Sequence, residues 1–543
     1  MPEDVTLAPI NGPDDYVGRH GAEKFFELID AAIPAHAHRP VILTTHMDLA
    51  EGTAHALDAL VAANDPPRLF LLGDSPVRIE RHPNDGHPLT RELTESRVVY
   101  HLAESLEWRK VTKDGQTQSA LPSVAVARNI LASPELPFPP LERIVEVPVF
   151  ARDGHLCATP GYDTAARIIY QPPDGLDVPP IPTAPTDDDL AEARALICDD
   201  LIGDFPFIGD AERAHAVALF LLPFARDLID GPTPLHLIEK PTAGTGGSLL
   251  ADMLLRPACG RALPAMTAGN DADEWRKRIT ATLSESPIAV LLDNVRRLDS
   301  DDLAAALTAT TWKDRPLGVS RTVELPVRCV WIATANNPIL NCEAVRRTVR
   351  IRLDAGIDRP WTRDGFRHPD LPSWTTAHRP QLIAAALTLI QAWVARNRPT
   401  ALHARLGTYE AWSAVLGGIL ATAKIPGFLN NLVAFYDEVA DDETQAWYAL
   451  VRAWWVLYHD EPVGVQKIWM LTQGERGIDL DLGDKNEKSQ RTRLGKMLGR
   501  MRDRIFDEYR VLHAKPVHGA QQWRLRKVAE SQPPTGDKEE MLA

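Results

Sequence analysis

Cysteine is scarce in this chain of 543 residues: Cys157, Cys198, Cys259, Cys329 and Cys342 are odd in number and far apart. A disulfide framework is therefore excluded and reduced thiols are expected. None of the spacings is that of a paired metal site, and the 17 histidines make no His-Glu-x-x-His pattern, so no structural zinc site is expected. No uninterrupted apolar run reaches about 18 residues, which removes a membrane-spanning helix. Met1-Pro-Glu-Asp4 lacks the basic start and apolar core of a secretory signal, so a cytoplasmic protein is expected. No internal repeat of fixed period occurs. Excess positive charge is also missing: the formal net charge of −15 argues against a wholly basic, nucleic-acid-coating protein.

What is present is a soluble globular composition, 44% hydrophobic and 24% charged, long enough for two to four domains. The charge is uneven. Residues 485–527 carry 13 Lys and Arg against four acids, net +9, and the remaining 500 residues carry −24. The basic block is a candidate footprint for nucleic acid.

Along the chain, residues 1–35 hold one turn and one amphipathic helix (21–32), too little for a core. Residues 36–172 read as an α+β domain, with strands over 41–45, 68–72, 97–101 and 144–150, the last turning through Gly154 into 155–159 as a hairpin. Residues 173–189 are a Pro-rich linker, and Thr186 or Asp187 caps the helix that follows. Residues 190–395 alternate helix and strand; 396–457 are helical, broken at Pro426–Asn431; 458–528 form a basic unit; and 529–543 are a polar, disordered tail.

Within 190–395, Leu235–Ile238 runs as a strand into a turn bearing Gly244, Thr245, Gly246 and Gly247. Ser248 and Leu249 then open a helix. Strand, glycine turn and helix N-terminus together make a phosphate cradle. The P-loop pattern wants Gly at position 241 and Lys at 247, where Pro and Gly stand. Lys240, just before the turn, either reaches inward as a substitute or is a solvated lysine at a strand end. A second apolar strand ends in Asp293-Asn294 about 45 residues on, and a third in Asn336-Asn337 about 43 later. Such spacing is that of an additional-strand P-loop ATPase. In it Ser248 and Asp293 hold Mg²⁺, and Asn336 or Asn337 orients the attacking water or the γ-phosphate. Arg346 and Arg347 follow at a distance suited to a subunit-interface finger, with Arg315 the runner-up; Arg350 and Arg352 read as a solvated face.

In the basic unit, helices are expected over 461–472 and 490–506, then a two-stranded wing over 509–513 and 522–526. Leu494, Leu498, Met501 and Ile505 form the buried face, leaving Arg491, Arg493, Lys496, Arg500 and Arg504, with Lys515 on the wing, for phosphates. A basic lid packed on the acidic body is the other reading.

The motifs Asp204-Phe-Pro-Phe207, Gly244–Leu250, Leu292-Asp-Asn-Val295, Asp314–Gly318, Ala333-Thr-Ala-Asn-Asn337, Arg346-Arg347 and Pro426-Gly-Phe-Leu429 resemble the superfamily 3-like AAA+ helicase module of phage, plasmid and integrative-element primase-helicases. The likeness runs from about 190 to 527. Residues 1–150 resemble the connecting domain of such proteins, and Gly12–Tyr16 the text after a primase domain. The resemblance implies an α/β P-loop (AAA+-like) ATPase core, an N-terminal α+β domain and a C-terminal winged-helix domain. It further implies an ATP- and Mg²⁺-dependent DNA helicase acting as a homo-oligomeric ring of hexameric type, subunit number left open, with a primase on another chain. A hairpin facing the ring pore would carry Lys313 and Arg321 to DNA. The alternative is a pseudo-ATPase initiator, loader or primase-associated adaptor.

Overall fold

The computed structural model describes Lys24 and residues 39–528, except 46, 268, 270–271, 316–321, 341, 402–405, 440–441, 475–476, 481, 483–485 and 518–519. The segments 1–23, 25–38 and 529–543, hence the expected N-terminal helix and the tail, lie outside the described residues, and so does Arg321, within 316–321.

At the centre is a five-stranded parallel sheet. Its strands in chain order are β1 (Leu235–Lys240), β2 (Ala265–Met266), β3 (Ala289–Leu298), β4 (Val330–Leu340) and β5 (Thr348–Arg352), arranged spatially β2-β3-β4-β1-β5. Helix α1 (Gly247–Cys259) follows β1, and α2 (Ala272–Leu283) precedes β3. The strands are apolar on both faces because both are covered. Alternation along β1 and β4 sorts the side chains: Ile238, Val330 and Ile332 join one core with Leu250, Leu254 and the helices 210–225 and 379–395. Leu235, Leu237, Trp331 and Ala333 join the opposite core with Trp275 and Ile279 of α2. The helix Asp210–Ala225 is buried almost all round, so it carries no polar stripe.

Residues 42–138 have a core of their own, whereas Phe70, Leu72, Leu141 and Ile144 pack into the second core of the central sheet. The hairpin at Gly154 forms, Val149–Phe150 against Leu156–Cys157, and Gly154 takes φ +97° in its turn. Residues 97–101 are helical and not a strand: Thr94 caps the helix Glu95–Ser105, and Val98 and Leu102, four apart, are its buried positions. The two adjacent valines of the segment favour β structure by propensity alone. The Pro-rich linker is irregular, and Thr186 closes a capping box with Asp189. No described helix is long and apolar enough to cross a membrane.

The break at Pro426–Asn431 is anchored from beneath. His215, fully buried on the helix 210–225, donates Nδ1–H to the Arg350 backbone carbonyl of β5 at 2.8 Å, and its Nε2 accepts the Leu429 backbone N–H at 3.0 Å. Only a neutral imidazole serves both partners, as one donor and one acceptor. Burial pushes its pKa down to about 4. A depressed histidine contributes stability that is present above its ordinary pKa near 6.5 and lost as pH falls toward 4. Thermal melts are expected to drop across that window. His215→Gln should lower Tm at pH 7.5 yet flatten the acid dependence.

In the basic unit, helices are shorter than expected. The first is Val465–Met470, and the second, Glu487–Arg500, stops where Asp503 takes φ +65° and donates its N–H to Val511 O at 2.8 Å. Ile505 thus lies on a short strand, 44% exposed, and Met497 takes its place beside Leu494 and Leu498. Arg504 likewise leaves the helix. A four-stranded sheet, containing the antiparallel pair Tyr509–Val517 and Ala520–Lys527, completes the unit. The helix Asp442–Tyr458 adds Trp447 and Trp454 to the same core.

Candidate nucleotide site

The carboxyl ends of parallel strands open into the crevice where α/β proteins take ligands. There β1 ends at Lys240, and the turn before α1 puts Gly244 at φ +82° and Gly246 at φ +101°, conformations that favour glycine. Thr245 closes the turn by donating its hydroxyl to Thr242 O at 2.7 Å. Gly247 is the first residue of α1, and its conformation is an ordinary one.

Lys240 is buried, 7% exposed, and lies beneath this turn. Its Nζ and Cδ are 3.0 and 3.1 Å from the point where a Cβ on Gly247 would sit. Strand alternation explains the inward aim: Glu239 faces Arg350 and Arg352 (3.8 and 3.5 Å), so Lys240 faces the other way. Burial draws the Lys240 pKa down, and the Asp293 carboxylate partly restores it.

Asp293 ties three elements together. Its Oδ1 accepts from the Ser248 hydroxyl at 3.0 Å and the Thr334 hydroxyl at 2.5 Å, and Thr334 Oγ1 accepts the Asn294 N–H at 2.9 Å. Asn294 has φ +53°, and the β3/β4 register shifts between Leu292 and Val295. A bulge of this kind re-aims side chains next to a site. Asn336 pairs with Lys240 across β1 and β4, and Asn337 follows at φ +40°; both are exposed. Lys240, Ser248, Asp293, Asn336 and the glycine turn therefore share one cluster at the end of β1, where β3 and β4 pass on toward Leu298 and Leu340.

Beside it is a cleft of about 290 Å³ lined by Phe205, Gly244, Leu249, Trp361 and Phe366. Trp361, 62% exposed, lies over Gly244, where a Cβ would meet its ring carbon Cε3 at 3.1 Å. Arg363 donates to Asp204 O at 2.8 Å and stacks on Phe366 at 5.2 Å. Sequence reading missed Trp361 and Phe366, which stand more than 110 residues beyond the turn with no spacing signal. Thr334 was visible only as part of Ala333–Asn337.

The arginines divide. Arg346 is exposed and pairs with Glu343; Arg347 is only partly exposed and clasps both the carboxylate and the backbone carbonyl (2.8 Å) of Glu343. Arg350 and Arg352 are not a solvated face. Every residue of β5 from Thr348 to Ile351 is buried, and Arg350, 4% exposed, pairs with Glu438 at 2.5 Å and stacks on Phe435 at 4.7 Å. Lys313 sits on the antiparallel hairpin Thr311–Asp314/Val323–Pro326, paired with Glu324, and Arg315 is exposed beyond it.

On the basic unit, Arg493, Lys496 and Arg500 are exposed opposite Leu494, Met497 and Leu498. Arg491 pairs with Glu487 at 3.1 Å, Arg504 lies 5.2 Å over Phe506, and Lys515 is exposed on its strand.

No protein-family model matches the chain, and no curated protein matches it. Among solved structures, it is similar to three of the JCV helicase, each covering 47% of this chain and 72% of that one. They are a complex with a thiazolopyridine acetamide (14% identity, TM-score 0.20), the X-ray structure of the helicase (14%, 0.19) and an inhibitor-bound form (13%, 0.18). Likenesses this partial carry no weight for the roles of individual residues.

Proposed function

We propose that this chain is an ATP-dependent DNA helicase subunit of primase-helicase type, serving replication of a phage or other mobile element as a ring-forming homo-oligomer. The observation that carries the reading is the convergence of the Lys240 ammonium, the Ser248 hydroxyl and the Asp293 carboxylate beneath a glycine turn. The strand order supports it, because β4, bearing Asn336, lies between the turn-bearing β1 and the acid-bearing β3.

In this reading, the backbone N–H groups of 244–249 and the start of α1 receive the phosphates, and Lys240 supplies the cation that Gly247 lacks. Ser248 and Asp293, two oxygen donors 3.0 Å apart, fit Mg²⁺ and would hold it; the ion would neutralise phosphate charge. The base stacks in the aromatic cleft against Trp361. Asn336 and Asn337 orient water or the γ-phosphate, and Arg346, the more exposed of its pair, serves a neighbouring subunit. Arg491, Arg493, Lys496, Arg500, Arg504 and Lys515 meet DNA phosphates on a winged-helix-like unit, and Lys313 does so from its hairpin.

One observation favours the pseudo-ATPase loader or adaptor instead: the position after Asp293, where a water-activating glutamate is wanted, is Asn294, its backbone turned by φ +53°. ATP turnover and strand displacement decide. Ser248→Ala and Asp293→Ala are each expected to cut turnover by about 10²-fold or more while the chain stays folded. Turnover equal to wild type in both variants would sink the catalytic reading. ATP binding without strand displacement would favour the loader.

A further inference from the structure

Away from the nucleotide cluster, the hairpin Val149–Cys157 and the hairpin formed by Gly161–Asp163 and Ile168–Tyr170 bring three dissimilar side chains to one point. His155 Nε2 is 2.8 Å from Asp163 Oδ2, and Cys157 Sγ is 3.3 Å from His155 Nε2 and 3.5 Å from Asp163 Oδ2. Two of the three ligands are held from behind. His155 Nδ1 is fixed by Asp153 Oδ1 at 2.7 Å. Asp163 Oδ1 accepts the backbone N–H groups of Ala165 and Ala166 at 3.0 and 2.8 Å, leaving Oδ2 for the cluster. A carboxylate behind a histidine's second nitrogen is the usual outer partner of a metal-bound imidazole.

The dimensions suit a small tetrahedral ion. Bonds of roughly 2.0–2.3 Å to N, O and S give edges of roughly 3.3–3.6 Å between ligand atoms. Two of the three observed edges are close to that, and the His155–Asp163 edge must open by about half an ångström. Cys157 is buried at 5%, whereas His155 and Asp163 keep 39% and 29% of their side-chain surface, so one side is open to a water.

We propose that His155, Cys157 and Asp163 form a site for a divalent transition-metal ion of the zinc class, with Asp153 as its outer partner and a fourth position open to solvent. Thiolate with imidazole selects such ions over Mg²⁺ or Ca²⁺. On binding, the Cys157 S–H bond breaks, its proton leaves to solvent and a sulfur–metal bond forms. The ion staples two hairpins whose inner residues Phe150, Ile168 and Tyr170 belong to the core around the helix 210–225. No pairwise cysteine spacing announces it, because only one ligand is a cysteine. The other cluster of this kind among the described residues, His82, Asp85 and His87, has the Arg261 guanidinium 3.2 Å from Asp85, a cation already in place.

The test uses the full chain, stripped with a chelator and titrated with cobalt(II), then zinc(II). Thiolate-to-cobalt charge transfer arises only when the Cys157 sulfur is itself a ligand, so the band reports metal ligation directly. One equivalent of cobalt with that band, displaced by zinc, is expected in the wild type and in His87→Gln. The band should be lost in His155→Gln and Asp163→Asn, both at partly exposed positions, and cobalt affinity should fall about 10–100-fold in Asp153→Asn. Cys157→Ser, at a buried position, is read only if circular dichroism shows it folded. No thiolate band in the wild type, or a band that survives in both His155→Gln and Asp163→Asn, overturns the site.

Discussion

Lys240→Ala is expected to lower kcat/KM for ATP by about 10²–10³-fold, and the double variant Lys240→Ala/Gly247→Lys to recover most of the loss. The reason is geometric. The ammonium at the end of β1 already lies against the place from which a side chain at 247 would grow, so moving it by seven residues moves the charge only a few ångströms. Gly247 does not need glycine's left-handed freedom, and a lysine is tolerated there once Lys240 is shortened. Gly247→Lys alone should be poor, because its Cβ would sit 3.0 Å from the Lys240 nitrogen and two cations would crowd one turn. Turnover and nucleotide affinity, measured together, separate lost chemistry from lost binding. Full activity in Lys240→Ala would show that this lysine is no substitute for the missing one.

Arg350→Ala should destabilise the chain by about 3 kcal/mol, at the low end for breaking a buried ion pair because Glu438 keeps half its surface in water. The loss is concentrated on Glu239, 7% exposed, which would be left with Arg352 alone at 3.5 Å. Burial holds the Glu239 pKa up against both arginines, so its charge depends on them. Arg350→Met with Glu239→Gln should recover most of the stability, since well-packed neutral groups replace a buried pair at little cost. Denaturant unfolding gives the answer. Because Glu239 and Lys240 are adjacent and face opposite ways, Arg350→Ala should also weaken nucleotide binding modestly, whereas an unchanged midpoint would mean that β5 does not need the pair.

The elements that sequence reading located well are those whose signal is local. β1, β3 and β4 begin in apolar runs, although β3 and β4 continue past the expected ends at Asp293-Asn294 and Asn336-Asn337 to Leu298 and Leu340; the glycine turn and Thr186 cap use short-range chemistry, and the break at Pro426 is set by its own residues. The failures are equally physical. Val98 and Val99 favour a strand by propensity, but the Thr94 cap and the i, i+4 burial of Val98 and Leu102 prevailed. The basic helix was read to Phe506 because its apolar spacing continues, yet the backbone at Asp503 turns to pair with Val511.

For function, the chain of letters by itself determined the candidate P-loop positions 244–249, Asp293 and the asparagine pair, because strand, turn and acid each leave a contiguous trace. Only the tertiary structure decided the rest. Lys240 points inward because Glu239 is claimed by β5, Arg350 is buried because a helix far along the chain covers it, and Trp361 reaches the turn across more than 110 residues. The His155, Cys157 and Asp163 cluster joins two hairpins that share no motif. Such contacts depend on which strand faces which, and that is settled by burial of the whole core rather than by any segment's own preference.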